Sequence, residues 1–247
     1  VLRMDWDEDF RKRLLGGLHT HRSIHQEVRT FWEKEYAAWG AQDRAELRNF
    51  TVAKYETLLR SPALRTACGR RASQLDLAAC AQQGKVVIAR LPQGELGPVT
   101  AWFLGMLLMS RLQAAIFGRA SMPPGERRPF TVVIDEFQNF VGAGGFGYAG
   151  NERTLGPLLS EGRKFGLRLV LANQYMAQLD ASTQAAILGN VGSLVSFRCG
   201  GPDAAVLAEE LGVPAAELVD LPLFQAVARL LQNGRKSSPF TLVTVPS

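Results

Sequence analysis

FTVVIDEFQNF, residues 130–140, is an apolar run that stops abruptly at two carboxylates. Phe130 to Ile134 is too short for a helix of ordinary length, rich in β-branched residues and without polar alternation, which is the pattern of a strand covered on both faces. Asp135 and Glu136 then stand side by side at its exit. Adjacent carboxylates repel, and burying either one is expensive unless a cation or a hydrogen-bonding partner offsets the charge. Either they are surface acids at the rim of a sheet, or something positive meets them there.

Reading outward from this stretch, the chain from residue 84 onward alternates short apolar runs with helical patterns. KVVIAR (85–90), RPFTVVID (128–135), LRLVLAN (167–173) and GSLVSFR (192–198) read as strands. Between them lie an apolar helix from about Pro98 to Phe117 and helices in ERTLGPLLSEGRKF (152–165) and MAQLDASTQAAILG (176–189). PDAAVLAEEL (202–211) follows as a helix, and FQAVARLL (224–231) and PFTLVTV (239–245) close the chain as edge strands. Strands separated by helices predict an α/β fold with a parallel sheet that has helices on both faces. The glycine-rich VGAGGFGYAG (141–150) contains no lysine and reads as a surface loop.

Residues 1–80 have a different texture, charged and helical with few strand signals. Trp32, Tyr36 and Trp39 recur at i, i+4, i+7 and share one helical face. They suit core packing better than stacking on bases. Ser61-Pro62 has the form of an N-cap followed by a first-turn proline. This part reads as a small all-helical subdomain, with residues 81–247 forming the α/β part.

The 247 residues are 47% hydrophobic and 21% charged, which describes a globular chain with material for a sizeable core. The longest apolar run, TAWFLGMLLM (100–109), falls short of the roughly 18 residues of a membrane span, and Arg111 closes it. Cys68, Cys80 and Cys199 are odd in number and lack metal-ligand spacing, so they read as reduced core residues of a cytoplasmic protein. A net charge of +5 is compatible with nucleic acid but does not require it. His21 and His25 lie one helical turn apart near His19, yet no carboxylate or cysteine completes a metal set at ligand spacing. The basic groups RKR (11–13) and GRR (69–71) read as solvated helix faces that a ring of copies could turn towards DNA.

In an open parallel sheet, ligands bind at the carboxyl ends of the strands. The first of these ends delivers Asp135 and Glu136, the second Asn173 and Gln174, and the third Arg198. Apolar residues ending in Asp-Glu have the form of a Walker B element, in which the acid pair serves Mg²⁺ and the water that attacks a terminal phosphate. Gln174 carries an amide that donates to phosphate oxygen and accepts from water. Arg163 and Lys164, in GRKFG, suit either favourable charge at a helix C-terminus or an arginine finger reaching across a subunit boundary. Arg198 has the same two readings.

Taken in order, VVIDEFQNF, LLSEGRKFGLRLVLANQYMAQL and ILGNVGSLVSFRCGGPDA resemble the motor domain of HerA/FtsK-type ATPases. The likeness is greatest to the conjugative DNA-transfer coupling ATPases of type IV secretion, and it implies a RecA-like fold in which residues 1–80 match an inserted all-helical domain. It further implies ATP and Mg²⁺ as cofactors. Asp135 becomes the metal-associated acid, Glu136 the catalytic glutamate and Gln174 the γ-phosphate sensor. Arg163 becomes the finger acting on a neighbouring subunit, helped by Lys164 or Arg198. The partners implied are DNA, further copies in a hexamer, and secretion-channel or relaxosome proteins at the cytoplasmic face of the inner membrane. HerA-like motors of DNA end processing or phage defence share the same pattern, and a non-hydrolysing docking module would keep the fold without the nucleotide loop.

One motif of that family is missing. No G-x-x-x-x-G-K-[ST] occurs, and the only Gly-Lys pair, Gly84-Lys85, lacks the first glycine and the hydroxyl. Together with Val1 in place of a methionine, this leads us to expect the C-terminal portion of a longer protein. Such a piece would have a gap where the phosphate-loop strand belongs, leaving neighbouring strands with unpaired backbone. By itself it would hydrolyse ATP negligibly.

Overall fold

The computed structural model describes residues 2–17, 24–70, 72–140 and 152–245. The chain forms two compact units, Val1–Arg71 and Ala72–Ser247.

The smaller unit is helical. Its helices are Leu2–Trp6, Glu8–Gly16, Ile24–Thr30, Ala41–Arg60 and Pro62–Cys68, with a wide turn at Phe31–Glu35 and a short helical continuation at Tyr36–Ala38. Asp7 caps the second helix by accepting from Phe10 N at 2.8 Å. Ser61 caps the last by accepting from Leu64 N at 3.3 Å, with Pro62 in the first turn, as its sequence predicts. Of the expected aromatic stripe Tyr36 is core, and Trp32 and Trp39 are half-buried beside it. Tyr36 is 1% exposed, within 4.8 Å of the Trp32 ring centroid and 5.9 Å of that of Trp39. The guanidinium groups of Arg11 and Arg44 lie 5.2 and 5.0 Å from the Tyr36 ring, so part of the basic character of this unit is spent on packing.

The larger unit is mixed α/β. Strands β1 (Phe130–Ile134) and β2 (Leu167–Leu171) pair in parallel, Phe130 opposite Leu167 and Ile134 opposite Leu171. One face of the pair meets the main core, built around Met109, Leu112 and Ile116 of the helix Pro98–Phe117, Leu155 and Leu158 of the helix Glu152–Glu161, and Ile187 of the helix Ala181–Asn190. Gly97 and Pro98 start the first of these helices. Proline lacks the N–H that the first turn of a helix would leave orphaned. By length and composition Pro98–Ser121 would also pass as a membrane-crossing helix, but Met109, Leu112 and Ile116 are packed against the sheet, as in the core helix of a globular unit. The other face of the pair leaves Val133 68% and Val170 50% exposed.

Strands β3 (Leu194–Phe197) and β4 (Gln225–Arg229) pair antiparallel, and a short hairpin of β5 (Leu231–Gln232) and β6 (Arg235–Lys236) precedes β7 (Phe240–Val243), which pairs antiparallel with β4. Val227 and Leu194 pack on a second core formed by the helices Gly201–Leu211 and Ala215–Val219. Among the described residues the sheets β1-β2 and β3-β4-β7 share no hydrogen-bonded strand, and β5-β6 stands as a separate pair.

Several local expectations are corrected. Residues 85–90 join no strand ladder among the described residues, and Val86 and Ile88 are 88% and 87% exposed. Their β-branched side chains suit a strand, but strand propensity is realised only against a neighbour that takes the side chains and the backbone. Gly84 does not open a strand either. At φ 69° it is the left-handed cap of the helix Leu77–Gln83, and Lys85 N bonds back to Cys80 O at 2.9 Å. The 192–198 strand is antiparallel to its partner rather than part of the parallel set, and β4 is the middle strand of its sheet, not an edge. Cys68 is exposed, whereas Cys80 and Cys199 are half-buried, all three free. His19, His21 and the 141–150 loop lie outside the described residues, which contain no cluster of three or more His, Cys, Asp and Glu suited to a metal ion.

Candidate functional site at the carboxyl edge of the parallel strands

The acid pair is presented by a turn locked from three sides. Phe137 is buried in the main core, and its N–H donates to Ala172 O at 3.1 Å, tying the turn after β1 to the end of β2. Phe140 packs against Gly105 of the helix Pro98–Phe117, so closely that a Cβ at Gly105 would lie 2.2 Å from the ring. Glycine is therefore the side chain that leaves room for this anchor. Just before these anchors Glu136 adopts φ 45° and ψ 46°, a left-handed conformation that costs a non-glycine residue about 1 kcal/mol or more.

Asp135 is exposed, and its Oδ1 accepts from Glu136 N at 3.0 Å. Glu136 is half-buried. Gln174 Nε2 donates to its Oε1 at 2.6 Å, and Asn139 Nδ2 donates to its Oε2 at 3.2 Å. Two residues beyond Gln174, Met176 N donates at 3.0 Å to the buried Oδ2 of Asp203 in the first turn of the helix Gly201–Leu211. That bond brings the loop after β2 against the loop after β3, in which Arg198 stands exposed. Asp135, Glu136 and Gln174 thus share one edge, and Arg198 is on a loop that reaches the same end.

Arg163 and Lys164 do not join them. They occupy a tight turn, Gly162–Phe165, that immediately precedes β2, and Phe130 N at the start of β1 bonds to Gly166 O at 2.9 Å. This is the amino edge of the strand pair, roughly 15 Å from the acids at about 3.3 Å per residue. Both side chains are exposed. The turn itself is held by arginines that the motif reading did not single out. Arg119, only 3% exposed, donates through Nη1 to Arg128 O at 2.9 Å and to Phe165 O at 3.1 Å. Burial pushes its pKa down. Arg127 Nη1 donates to Lys164 O at 2.6 Å, and its guanidinium lies 5.2 Å from the Phe165 ring. Asn139, Arg119 and Arg127 carry no motif signal; the one hint is that Asn139 follows Glu136 by one 3₁₀ turn.

The donor set at the acid edge suits a hard divalent cation carrying phosphate. Mg²⁺ typically takes one or two carboxylates together with water and phosphate oxygens, and Asp135 offers an exposed carboxylate for that purpose. The amide of Gln174 offers an N–H to a phosphate oxygen. A glycine-lysine phosphate cradle is not among the chain's residues.

No protein-family model matches this sequence, and no curated protein matches it. Solved structures do match by fold. The plasmid coupling protein TrwB in complex with the non-hydrolysable GTP analogue GDPNP superposes with a TM-score of 0.57 at 18% identity, over 98% of this chain and 62% of that one. TrwB with ADP and Mg²⁺ gives 0.56 at 18% identity, over 94% and 57%. The unbound bacterial conjugative coupling protein TrwBdeltaN70 gives 0.54 at 17% identity, over 91% and 56%. The chain therefore has the RecA-like coupling-protein fold expected from its motifs, and it spans about three-fifths of the length of these structures.

Proposed function

We propose that this chain is the Walker B, sensor and arginine-finger portion of an ATP-driven motor that moves DNA, acting in conjugative transfer through a type IV secretion system. The observation that carries the reading is the 2.6 Å bond from Gln174 Nε2 to Glu136 Oε1, which unites two residues from different strand ends where a terminal phosphate and its attacking water have to meet. The superposed TrwB structures include one with ADP and Mg²⁺ and one with a GTP analogue, which supports ATP and Mg²⁺ as the cofactors.

In this mechanism Asp135 would hold Mg²⁺, which would offset the charge of the phosphates. Glu136 orients the attacking water and accepts its proton, and Gln174 donates to the phosphate. Bound ATP supplies the phosphoryl group. Arg163 lies too far from Glu136 in its own chain, so it serves the site of a neighbouring copy in a hexamer, with Lys164 beside it and Arg198 as a helper on the acid side. A strand with its phosphate loop, a motif absent from residues 1–247, would join β2 to β3, each of which has one edge that pairs with nothing among the described residues. Residues 1–80 are the helical insertion. Secretion-channel and relaxosome proteins are the expected partners, at the cytoplasmic face of the inner membrane.

The test is nucleotide turnover by the full-length protein with and without DNA. Glu136→Gln should retain ATP binding and lower kcat at least hundredfold. Unchanged turnover in that variant removes Glu136 from the chemistry and the motor reading with it.

A further inference from the structure

The two amides on Glu136 are mounted very differently. Asn139 lies on the same short 3₁₀ turn as Glu136, half-buried, and its backbone N–H also bonds to Glu136 O at 2.9 Å. The turn around it is pinned by Phe137 in the core and by Phe140 against Gly105. Gln174 is exposed, and reaches Glu136 from another strand end.

We infer that Asn139 is the fixed positioning residue of Glu136, while Gln174 is its exchangeable partner. The inference rests on the proposed role of Glu136. If Gln174 turns its N–H towards a phosphate, Glu136 loses one of its two side-chain donors. A carboxylate on a three-bond side chain would then be free to rotate at the moment its orientation matters. Asn139 on Oε2 keeps the carboxylate plane in place and leaves lone pairs on both oxygens for water. A misplacement of about 1 Å in such a group costs on the order of a hundredfold in rate, so partial loss of the hold has a readable effect. The left-handed backbone of Glu136 fits this role, because a strained conformation persists only where its surroundings over-determine it.

The experiment compares Asn139→Ala and Asn139→Asp with Glu136→Gln in the full-length protein. Asp keeps the shape of Asn139 but puts a repelling carboxylate where its donor stood, and so decides the question if the alanine variant folds poorly. The expected result is a fall in kcat of about tenfold for Ala and more for Asp, with KM for ATP within about twofold of the parent. In crystals grown with Mg²⁺ and a non-hydrolysable ATP analogue, Asn139 Nδ2 should remain within hydrogen-bond distance of Glu136 while Gln174 Nε2 has moved to phosphate. Parental kcat in both Asn139 variants, alongside an inactive Glu136→Gln, overturns this inference and leaves the motor reading standing. An active Glu136→Gln, or a parent protein without turnover, removes both.

Discussion

At the carboxyl edge of β1 and β2 the chain gathers acids and amides, and at the amino edge, one strand-length away, it gathers arginines. The acid edge is assembled side chain to side chain, Asn139 to Glu136 within one turn and Gln174 to Glu136 across 38 residues of sequence. The arginine edge is assembled side chain to backbone, with Arg119 and Arg127 bound to the carbonyls of Phe165, Arg128 and Lys164. Consequently the acids already have partners within the chain, whereas Arg163 and Lys164 are displayed to solvent by a turn whose backbone is rigidly held. A group fixed in place with its charge unspent is suited to a partner outside the chain, and a carboxylate clamped by neutral amides is suited to chemistry within it.

The largest expected effect breaks this comparison most directly. Arg163→Ala should lower turnover of the full-length protein about a thousandfold, while leaving urea unfolding unchanged because the side chain is exposed. If subunits carrying Arg163→Ala are mixed with subunits carrying Glu136→Gln, activity should partly return at mixed interfaces. No recovery in any mixture would mean that the two edges do not serve each other between copies.

The next effect is on stability at the arginine edge. Arg119→Ala leaves two part-buried carbonyls short of a donor and removes the packing of a long buried side chain, which should destabilise by about 2–4 kcal/mol in urea unfolding. A loss under 1 kcal/mol would show that the turn holds itself. At the acid edge the sign is opposite. Glu136→Gly relieves the left-handed backbone and should gain up to about 1 kcal/mol while abolishing turnover, a trade between stability and function confined to one residue. A less stable Glu136→Gly would mean that its hydrogen bonds outweigh its strain.

The smallest effect calibrates both. Asp180 caps the helix Ala181–Asn190, accepting from Ser182 Oγ, Thr183 N and Thr183 Oγ1, and these bonds pull its pKa from 3.8 down to about 2. Because the folded value is the lower one, its contribution is present above about pH 4 and is lost as pH falls towards 2. Asp180→Asn should keep the cap at pH 7 and flatten the pH dependence of stability across that window. An unaltered slope would assign the acid sensitivity to other groups.

How much of this was legible before the fold depends on the range of each signal. The helix Pro98–Phe117, the Ser61 cap and strand β1 were readable because periodicity and capping are local. So was the acid pair at a strand end, and with the order of motifs it was enough to anticipate the coupling-protein fold. The failure at 85–90 has the complementary cause. Val86 and Ile88 have the composition of a strand, but a strand exists only when another chain segment supplies the ladder, and none among the described residues does. The roles of Asn139 and Arg119 were illegible for the same reason, since an amide or a guanidinium acquires its meaning from what it touches.

By itself, then, the order of residues determined which groups exist to do chemistry and which short stretches become helix or strand, since torsional preference and periodicity act between near neighbours. Only the tertiary structure decided that Glu136 and Gln174 meet while Arg163 stands at the opposite edge. The parallel pairing of β1 with β2 puts both strand exits on one side and the turn before β2 on the other, and pairing is a property of distant segments that no local pattern encodes.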